Sequence, residues 1–327
     1  MISSVKAKLG EIMSRFLVVL LCVVSLAVGQ IAWGKDFYRF TGGPTGGTFQ
    51  LFSSSLSVFL SDQLKDMKVS NQASAGSTEN LRRIEAGRAH FGVVHSGDLF
   101  LGREGRLLGD KKRYSHVFAL AVLYQSAAQL VVMEGSGIKS VEDLAGKRIG
   151  IGGPGSGAAA TAERFFKAIG SWDKIDRKFL GYSKAASAMR NGQLDAMWVV
   201  SGYPTRAVIE LAAVKKIRLL DLHGPAEKAG FYKLYPFYQK KDIPSGTYAS
   251  VKSTVSTFVD STIWVAGKKA SPKRVQQALE SVYSEAGLRQ LKTIVNAASY
   301  MSLENGIQGI KVPLHPGAQA FWNKKQK

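Results

Sequence analysis

Two glycine-rich turns carry the groups in this sequence that are best suited to binding a ligand. The first is Phe40-Thr41-Gly42-Gly43-Pro44-Thr45-Gly46-Gly47-Thr48, and the second is Gly152-Gly153-Pro154-Gly155-Ser156-Gly157. Each follows a strand-like run and precedes a helical pattern. A helix N-terminus leaves backbone N–H groups unpaired and carries about half a positive charge. Glycines let an anion approach that backbone closely. Two such turns predict two lobes that hold one anionic solute between them.

The side-chain sets that enzymes use are missing from the sequence. Its five histidines have no metal-binding spacing with cysteines or carboxylates, and no paired carboxylates stand out. Ser156 is not a nucleophile elbow, because that motif needs a glycine where Pro154 stands. We therefore expect that the protein is not an enzyme and has no catalytic residue, no metal ligand and no cofactor.

One enzyme motif does match literally. Gly150-x-Gly152-x-x-Gly155 follows a strand and precedes a helix, as a dinucleotide-binding turn requires. That motif also needs an acidic residue about 20 residues later, at the end of a second apolar strand. Asp173 and Asp176 lie near that distance, but their segment has no strand pattern. The motif is therefore weak evidence for an exported oxidoreductase.

Residues 1–34 have the pattern of a cleavable secretory signal peptide. Lys6, Lys8 and Arg15 precede an apolar run from Phe16 to Val28, and Ala32-Trp33-Gly34 fits a cleavage site. An uncleaved anchor is the alternative, although the run is shorter than the roughly 20 residues of a membrane span. The single cysteine lies in this run. We expect a periplasmic mature protein that begins near Lys35 and has no cysteine.

The chain has 327 residues, a formal net charge of +20 and a pI near 9.9. Such a charge raises nucleic acid as a partner. However, the lysines are scattered, no helix has a basic stripe, and export argues against nucleic acid. We expect a monomer without a nucleic-acid partner, whose positive field favours an anionic solute.

Strand and helix patterns alternate along the mature chain, which predicts an α/β fold. Extended apolar runs are predicted at Val117 to Leu123 and at Gln129 to Met133, and residues 223–253 read as irregular. The chain is predicted to leave the first lobe near Tyr124 and to return near Asp260. Lobe 1 would then comprise residues 35–124 plus 260–327, and lobe 2 residues 125–259.

Short motifs in order along the chain resemble the TAXI family, the solute-binding proteins of one class of TRAP transporters. They are Thr41-Gly42-Gly43 with Gly46-Gly47-Thr48, Gly76-Ser77-Thr78-Glu79-Asn80-Leu81, Glu85-Ala86-Gly87, Val93-Val94-His95-Ser96, Val141-Glu142-Asp143-Leu144-Ala145-Gly146-Lys147-Arg148, Gly155-Ser156-Gly157, Asn191-Gly192-Gln193-Leu194-Asp195-Ala196, Gly202-Tyr203-Pro204 and Pro313-Leu314-His315-Pro316-Gly317-Ala318.

The resemblance implies a two-lobed periplasmic binding protein of the type II-like, Venus-flytrap class, with the ligand in a cleft between α/β lobes. It also implies docking onto TRAP transporter membrane subunits and a small C4–C5 carboxylate ligand such as glutamate or 2-oxoglutarate. The sequence departs from the family at His95-Ser96-Gly97-Asp98, where Gln-Ser-Asp is common. If His95 lines the cleft, its protonation would strengthen a bond to a carboxylate, so affinity would rise as the pH falls.

The resemblance places eleven residues at the ligand. Trp198 could instead belong to the core, Asn80 could serve only as a helix cap, and His95 could be a structural histidine. The predicted ligand-binding residues are Gly46, Gly47, Thr48, Ser77, Asn80, His95, Ser156, Gly157, Trp198, Ser201 and Gly202.

The leading hypothesis is therefore a carrier that captures a small carboxylate and delivers it to a permease. The alternative is a ligand-sensing module of a membrane receptor or sensor kinase, which would use the same cleft. The sequence alone does not separate these two functions, but neighbouring genes would.

Overall fold

The computed structural model describes residues 35–325. The predicted signal peptide, residues 1–34, lies outside the described residues. From Phe37 onward the chain forms one compact unit. Within residues 35–325, no helix is both long enough and apolar enough to cross a membrane.

Ten strands form a single mixed sheet in the described part of the chain, in the order β2-β1-β3-β10-β4-β7-β5-β6, with β8 beside β4 and β9 beside β10. The pairs β1–β3, β5–β6 and β5–β7 are parallel, and the pairs made by β4 and β10 are antiparallel. The strands are β1 Asp36–Thr41, β2 Met67–Gln72, β3 Phe91–His95, β4 Val117–Met133, β5 Arg148–Gly150, β6 Asp176–Lys178, β7 Ala196–Ser201, β8 Ile217–Leu219, β9 Gln239–Ile243 and β10 Val255–Gly267.

Helices connect the strands, as the alternating sequence pattern predicts. Among the described residues they are α1 Thr48–Gln63, α2 Ser77–Glu85, α3 Ser96–Glu104, α4 Gly157–Ala168, α5 Tyr182–Arg190, α6 Arg206–Ala212, α7 His223–Lys228, α8 Phe231–Leu234, α9 Pro272–Val282, α10 Glu285–Ile294 and α11 Pro316–Lys325.

The two longest strands, β4 and β10, run side by side through both halves of the sheet. The sequence predicts two separate runs in β4, because Gln125 and Ser126 interrupt its apolar pattern. The backbone nevertheless pairs through this point, with Ser126 opposite Asp260 and Gln125 opposite Ser261, and the register shifts only farther along β10, after Thr262 and after Trp264. Backbone pairing does not depend on side-chain polarity, and Ser126 is itself fully buried, so the interrupted apolar pattern does not end the strand.

The apolar core divides at this crossing point. Ala127 and Val259 belong to the cluster that contains β5 and β7, whereas Tyr124 and Trp264 belong to the cluster under α1 and α9. A third cluster lies under α2 and α3. The lobe boundaries near Tyr124 and Asp260 remain a prediction, which this division of the core supports.

Residues 223–253 contain α7, α8 and β9 and are not the irregular segment that the sequence predicts. These elements are too short for a clear periodicity. They form around packed aromatic rings, of which Phe231 and Tyr238 stack with centroids 4.9 Å apart. The sequence therefore underestimates structure that depends on tertiary packing.

Candidate functional site

Both glycine turns lead directly into helices, as predicted. Gly47 is the N-cap of α1, and Ser156 is the N-cap of α4, where its Oγ accepts a hydrogen bond from Ala159 N at 3.0 Å. A third helix, α2, begins after Gly76, and neither Gly47 nor Gly76 caps its helix with a side chain. The first turns of α1 and α2 therefore receive no side-chain cap from their own N-cap residues, and N–H groups there are suited to an acceptor from outside the helix, as Thr48 N donates to Ser201 Oγ at 3.1 Å.

These helix ends surround a small cavity in the predicted cleft. Six of the predicted residues line it, and the structure adds residues that the sequence did not single out, among them Tyr182 and Ala158. The predicted residues at the cavity are Gly47, Thr48, Ser77, His95, Gly157 and Ser201. The cavity measures about 10 Å³, roughly the space that one water molecule needs.

Hydrogen bonds between the two sides close the cleft. Thr48 N donates to Ser201 Oγ at 3.1 Å, and Ser201 Oγ donates to Thr48 Oγ1 at 3.0 Å. Thr48 Oγ1 donates in turn to the carbonyl oxygen of Gly202 at 3.2 Å. Beside them, Ala207 N donates to Gly46 O at 3.2 Å. A four- or five-carbon acid can therefore enter only after the two sides move apart.

Gly157 permits a close approach between the two sides at the cavity. A Cβ atom at this position would lie 2.7 Å from Ser77 Cβ and from Asp98 Oδ2, and 2.8 Å from His95 Cδ2. Real Cβ atoms essentially never come this close to other heavy atoms. The glycine is therefore required for the closed arrangement, whatever its role toward a ligand.

Asn80 does not line the cavity, although it was predicted at the ligand. Its Nδ2 donates to Gly42 O at 2.6 Å and to Val93 O at 2.7 Å, and its Oδ1 accepts from Thr41 Oγ1 at 2.6 Å. Asn80 is fully buried. It ties the first glycine turn to α2 and β3, so its role in the structure is to hold the turn in place.

Trp198 also lies away from the cavity. Its side chain is fully buried among Phe165 and Phe166, with ring centroids 5.3 and 5.6 Å away. Trp198 thus occupies the core position that the sequence analysis gave as the alternative to a ligand contact. The remaining three predicted residues, Gly46, Ser156 and Gly202, flank the cavity without lining it.

His95 ends β3 and lies at the floor of the cavity. Its backbone N–H donates to Ser77 Oγ at 2.9 Å, and its ring packs against Phe49 with centroids 4.7 Å apart. Burial lowers the pKa of His95 to about 4, against the opposing effect of Asp98. Among the described residues its Nδ1 has no hydrogen-bond partner. The ring is therefore neutral near pH 7 and keeps one unpaired nitrogen beside the cleft.

A cluster of buried charged residues lies behind His95 and was not predicted from the sequence. Arg164 Nη2 donates to Asp98 Oδ1 at 2.6 Å, and Arg164 Nη1 donates to Tyr238 OH at 2.9 Å. Asp98 Oδ2 has no partner in the described part of the chain. Burial raises the pKa of the nearby Asp260 to about 7, while Ser96 donates a hydrogen bond to that carboxylate at 2.6 Å.

A signal for this cluster was present in the sequence. Arg164 lies one residue before Phe165 on a helix that is buried along most of its length. A charged residue on such a helix is almost never buried without a partner. The identity of the partner, however, comes from a distant part of the chain, so only the fold reveals it.

The described residues contain no group of three His, Cys, Asp or Glu side chains that could hold a metal ion. The groups that reach the cavity are backbone N–H groups, hydroxyls and one imidazole. This set can bind an anion by hydrogen bonds, but it contains no nucleophile–base pair.

A mixed α/β sheet shared by two lobes, with helix N-termini facing a cleft between them, defines the class of periplasmic binding proteins. The chain belongs to the NMT1-like family, whose model matches residues 40–325. The fold is one that periplasmic solute-binding proteins share, in agreement with the expectation that the protein is not an enzyme.

Solved structures share the fold at low sequence identity. A periplasmic transporter has a TM-score of 0.56 at 14% identity, covering 90% of this chain and 94% of its own. A protein of Bordetella bronchiseptica RB50 has a TM-score of 0.52 at 18% identity, covering 89% and 82%. A putative L-cystine ABC transporter from Listeria monocytogenes has a TM-score of 0.51 at 16% identity, covering 82% and 98%.

The resemblance to the TAXI family is wrong, because the matching family is the NMT1-like family. The reason is visible in the quoted motifs. Several of them end helices or make turns, where Gly87, Gly146 and Gly192 have φ angles of 68°, 71° and 70°. Glycine at such positions is required by the backbone. Glycine motifs of this kind therefore mark a shared fold and do not distinguish families within it.

Proposed function

We propose that this protein captures a small organic anion in its cleft and delivers it to the membrane subunits of a transporter. The observation that supports this best is the convergence of the N-termini of α1, α2 and α4 on one cavity. The first residue of a fourth helix, Tyr182 of α5, also lines it. Helix N-termini favour negative charge, and their effects add when they point at one site.

The lining residues favour a carboxylate bound without a basic side chain. In residues 35–325, no lysine or arginine lines the cavity, whereas Thr48, Ser77 and Ser201, which carry hydroxyls, do. Hydroxyls and backbone N–H groups can each donate to a carboxylate oxygen, with about 1.5–3 kcal/mol for each charge-assisted bond. The protein would thus recognise the ligand by the directions of its hydrogen bonds and by its shape, and not through a basic side chain.

The floor of the cleft favours a ligand that also carries an N–H donor. His95 Nδ1, at the cavity, and Asp98 Oδ2, a buried acceptor directly behind the lining, have no hydrogen-bond partners among the described residues. A buried acceptor without a donor is costly, so a ligand that supplies one gains affinity. Of the two predicted C4–C5 ligands, glutamate has an ammonium group and 2-oxoglutarate does not. We therefore favour an amino acid of this size.

The membrane partner we propose is an ABC-type permease. The Listeria monocytogenes structure, which has the same fold, is described as a putative L-cystine ABC transporter.

We propose an extracytoplasmic location on the same grounds, together with the predicted signal peptide. N-terminal sequencing of the protein from the periplasmic fraction tests this, since a mature form that retains Met1 in the membrane would exclude it.

Thermal shift with a ligand panel tests the binding function. The panel contains C3–C6 mono- and dicarboxylates and the corresponding amino acids, with a chelator present. We expect glutamate-like amino acids to raise the melting temperature most. Stabilisation only by sugars, cations or nucleotides would exclude the proposal.

Two variants test whether the ligand binds in the cleft. Thr48→Val removes a hydroxyl that lines the cavity, so affinity for the best ligand should fall about tenfold. Thr293→Val makes the same change on an exposed face of α10 and should leave affinity unchanged. Equal affinities in both variants would show that the ligand binds elsewhere.

A further inference from the structure

A second, larger cavity lies beside the two strands that connect the lobes. Its volume is about 410 Å³, within the roughly 300–1,000 Å³ of small-molecule sites. Gln125 of β4 and Ser261 of β10 line it at the crossing point. Phe100 of α3 lines it from the lobe 1 side, and Phe237, just before β9, lines it from the lobe 2 side.

This cavity is distinct from the cleft. The two share no lining residue. Successive side chains of a strand point to opposite faces of the sheet. Ser261 and Ile263, which share one face of β10, line the second cavity, and Ser96, which also lines it, bonds Asp260 between the cavity and the charge cluster. A ligand of the second cavity would therefore leave the cleft free for its own solute.

Most polar side chains that line the second cavity have no hydrogen-bond partner among the described residues; Ser96, which donates to Asp260 Oδ1 at 2.6 Å, is the exception. Among the described residues, no hydrogen bond joins the side chains of Gln125, Gln239, Ser261 or Tyr300 to another group. Both glutamines offer two donors and an acceptor, and both hydroxyls can donate and accept. The cavity thus presents convergent hydrogen-bonding groups that a bound molecule can use.

Aromatic rings and one cation complete the lining. The rings of Phe100 and Phe237 lie 6.3 Å apart at an angle of 51°. Among the described residues, Lys311 is the one charged side chain that lines the cavity, and no carboxylate does. An apolar ring surface beside a lone ammonium group matches a flat aromatic molecule that carries one negative charge.

We propose that this cavity is a second binding site, for a small aromatic carboxylate. Its carboxylate pairs with Lys311, its ring packs against Phe100 and Phe237, and the glutamine amides bond its polar substituents. Because residues of both lobes line the cavity in the closed arrangement, such a ligand binds that arrangement better than an open one. It therefore stabilises closure, and by reciprocity it is bound more tightly when the cleft holds its solute.

The experiment uses 6-fluoro-2-naphthoate as the probe and follows its binding to the mature protein by fluorine NMR. We expect saturable binding to the wild type. Lys311→Glu should weaken it about tenfold or more, because an attraction becomes a repulsion. Lys65→Glu makes the same charge change at an exposed position outside the cavity and should bind the probe as the wild type does.

Two further variants separate this site from the cleft. Gln308→Trp should block the cavity by volume. Thr48→Val, which removes two hydrogen bonds that close the cleft, should retain saturable probe binding with at most a modest loss of affinity, since it weakens closure but leaves the second cavity intact. Circular dichroism confirms that each variant is folded. The proposal is overturned if the wild type shows no saturable binding, or if Lys311→Glu and Gln308→Trp bind as the wild type does. It is also overturned if Thr48→Val alone loses the probe, because the probe then occupies the cleft.

Discussion

Arg164 and Asp98 form an ion pair that joins the two sides of the closed cleft. The guanidinium Nη2 of Arg164, in α4, lies 2.6 Å from Asp98 Oδ1, in the first turn of α3, and the side chains are 4% and 0% exposed. Desolvating two charges is costly, and the pair offsets that cost only while both partners are present. When the lobes separate, water can reach both groups. The pair therefore contributes to the balance between closed and open arrangements.

Removal of one partner of this pair should be strongly destabilising. Arg164→Met leaves Asp98 charged and buried without its partner, and we expect a loss of about 3–5 kcal/mol in the free energy of unfolding. Urea denaturation measures this. Arg206→Met removes the cation of an exposed pair with Glu210 and should cost about 1 kcal/mol or less. Similar losses of unfolding free energy in the two variants would show that the buried pair stabilises the protein no more than the exposed pair does.

His95 should make the protein less stable toward acid. Its folded pKa, about 4 because of burial, is below the ordinary value of 6.5. As the pH falls from about 6.5 to 4, the unfolded chain takes up a proton that the folded protein refuses, so stability falls. Across this pH range the difference between the two pKa values lowers the free energy of unfolding by about 3 kcal/mol.

The variant His95→Gln should remove this part of the pH dependence of unfolding, which urea titrations across that range would detect. The sequence-based expectation that cleft affinity rises as the pH falls through an ordinary histidine pKa is accordingly corrected, because the ring remains neutral until about pH 4. An unchanged pH slope in His95→Gln would show that the histidine titrates equally in both states.

Asp260, in contrast to His95, should make the protein less stable as the pH rises. Burial raises its folded pKa to about 7, above the ordinary value of 3.8. Between about pH 4 and pH 7 the folded protein retains a proton that the unfolded chain has lost, so stability falls as the pH rises. Asp260→Asn should therefore be more stable than the wild type above pH 7, and thermal melts at several pH values would detect this. A variant that is less stable at every pH would contradict the assignment.

Gly157→Ala should hold the cleft open. The added Cβ would lie 2.7 Å from Ser77 Cβ in the closed arrangement, so closure becomes unfavourable. We expect weaker solute binding and a larger radius of gyration by small-angle X-ray scattering. Gly153→Ala is the matched control from the same turn, because its Cβ would meet only Ala75 Cβ at 3.7 Å, an ordinary contact. Equal radii and affinities for the two variants would exclude closure around Gly157.

Local features of this protein could be derived from the sequence by itself. The glycine turns at Gly47 and Gly157 begin helices because both the turn and the helix pattern are short-range properties. The alternation of strands and helices gave the fold class for the same reason. Family membership did not follow, because the motifs used for it, such as those that contain Gly87 and Gly192, satisfy backbone requirements that different families of one fold share.

Long-range contacts were decided only by the tertiary structure. The sequence could not show that Asp98 and Arg164 are partners, since that pairing depends on how two distant helices meet. It could not show that Trp198 lies in the core while Ser201, three residues later, reaches the cavity. Nor could it join the two halves of β4, because the backbone pairing with β10 continues where the side-chain pattern stops. Packing and strand register are properties of the whole chain, and no window of sequence contains them.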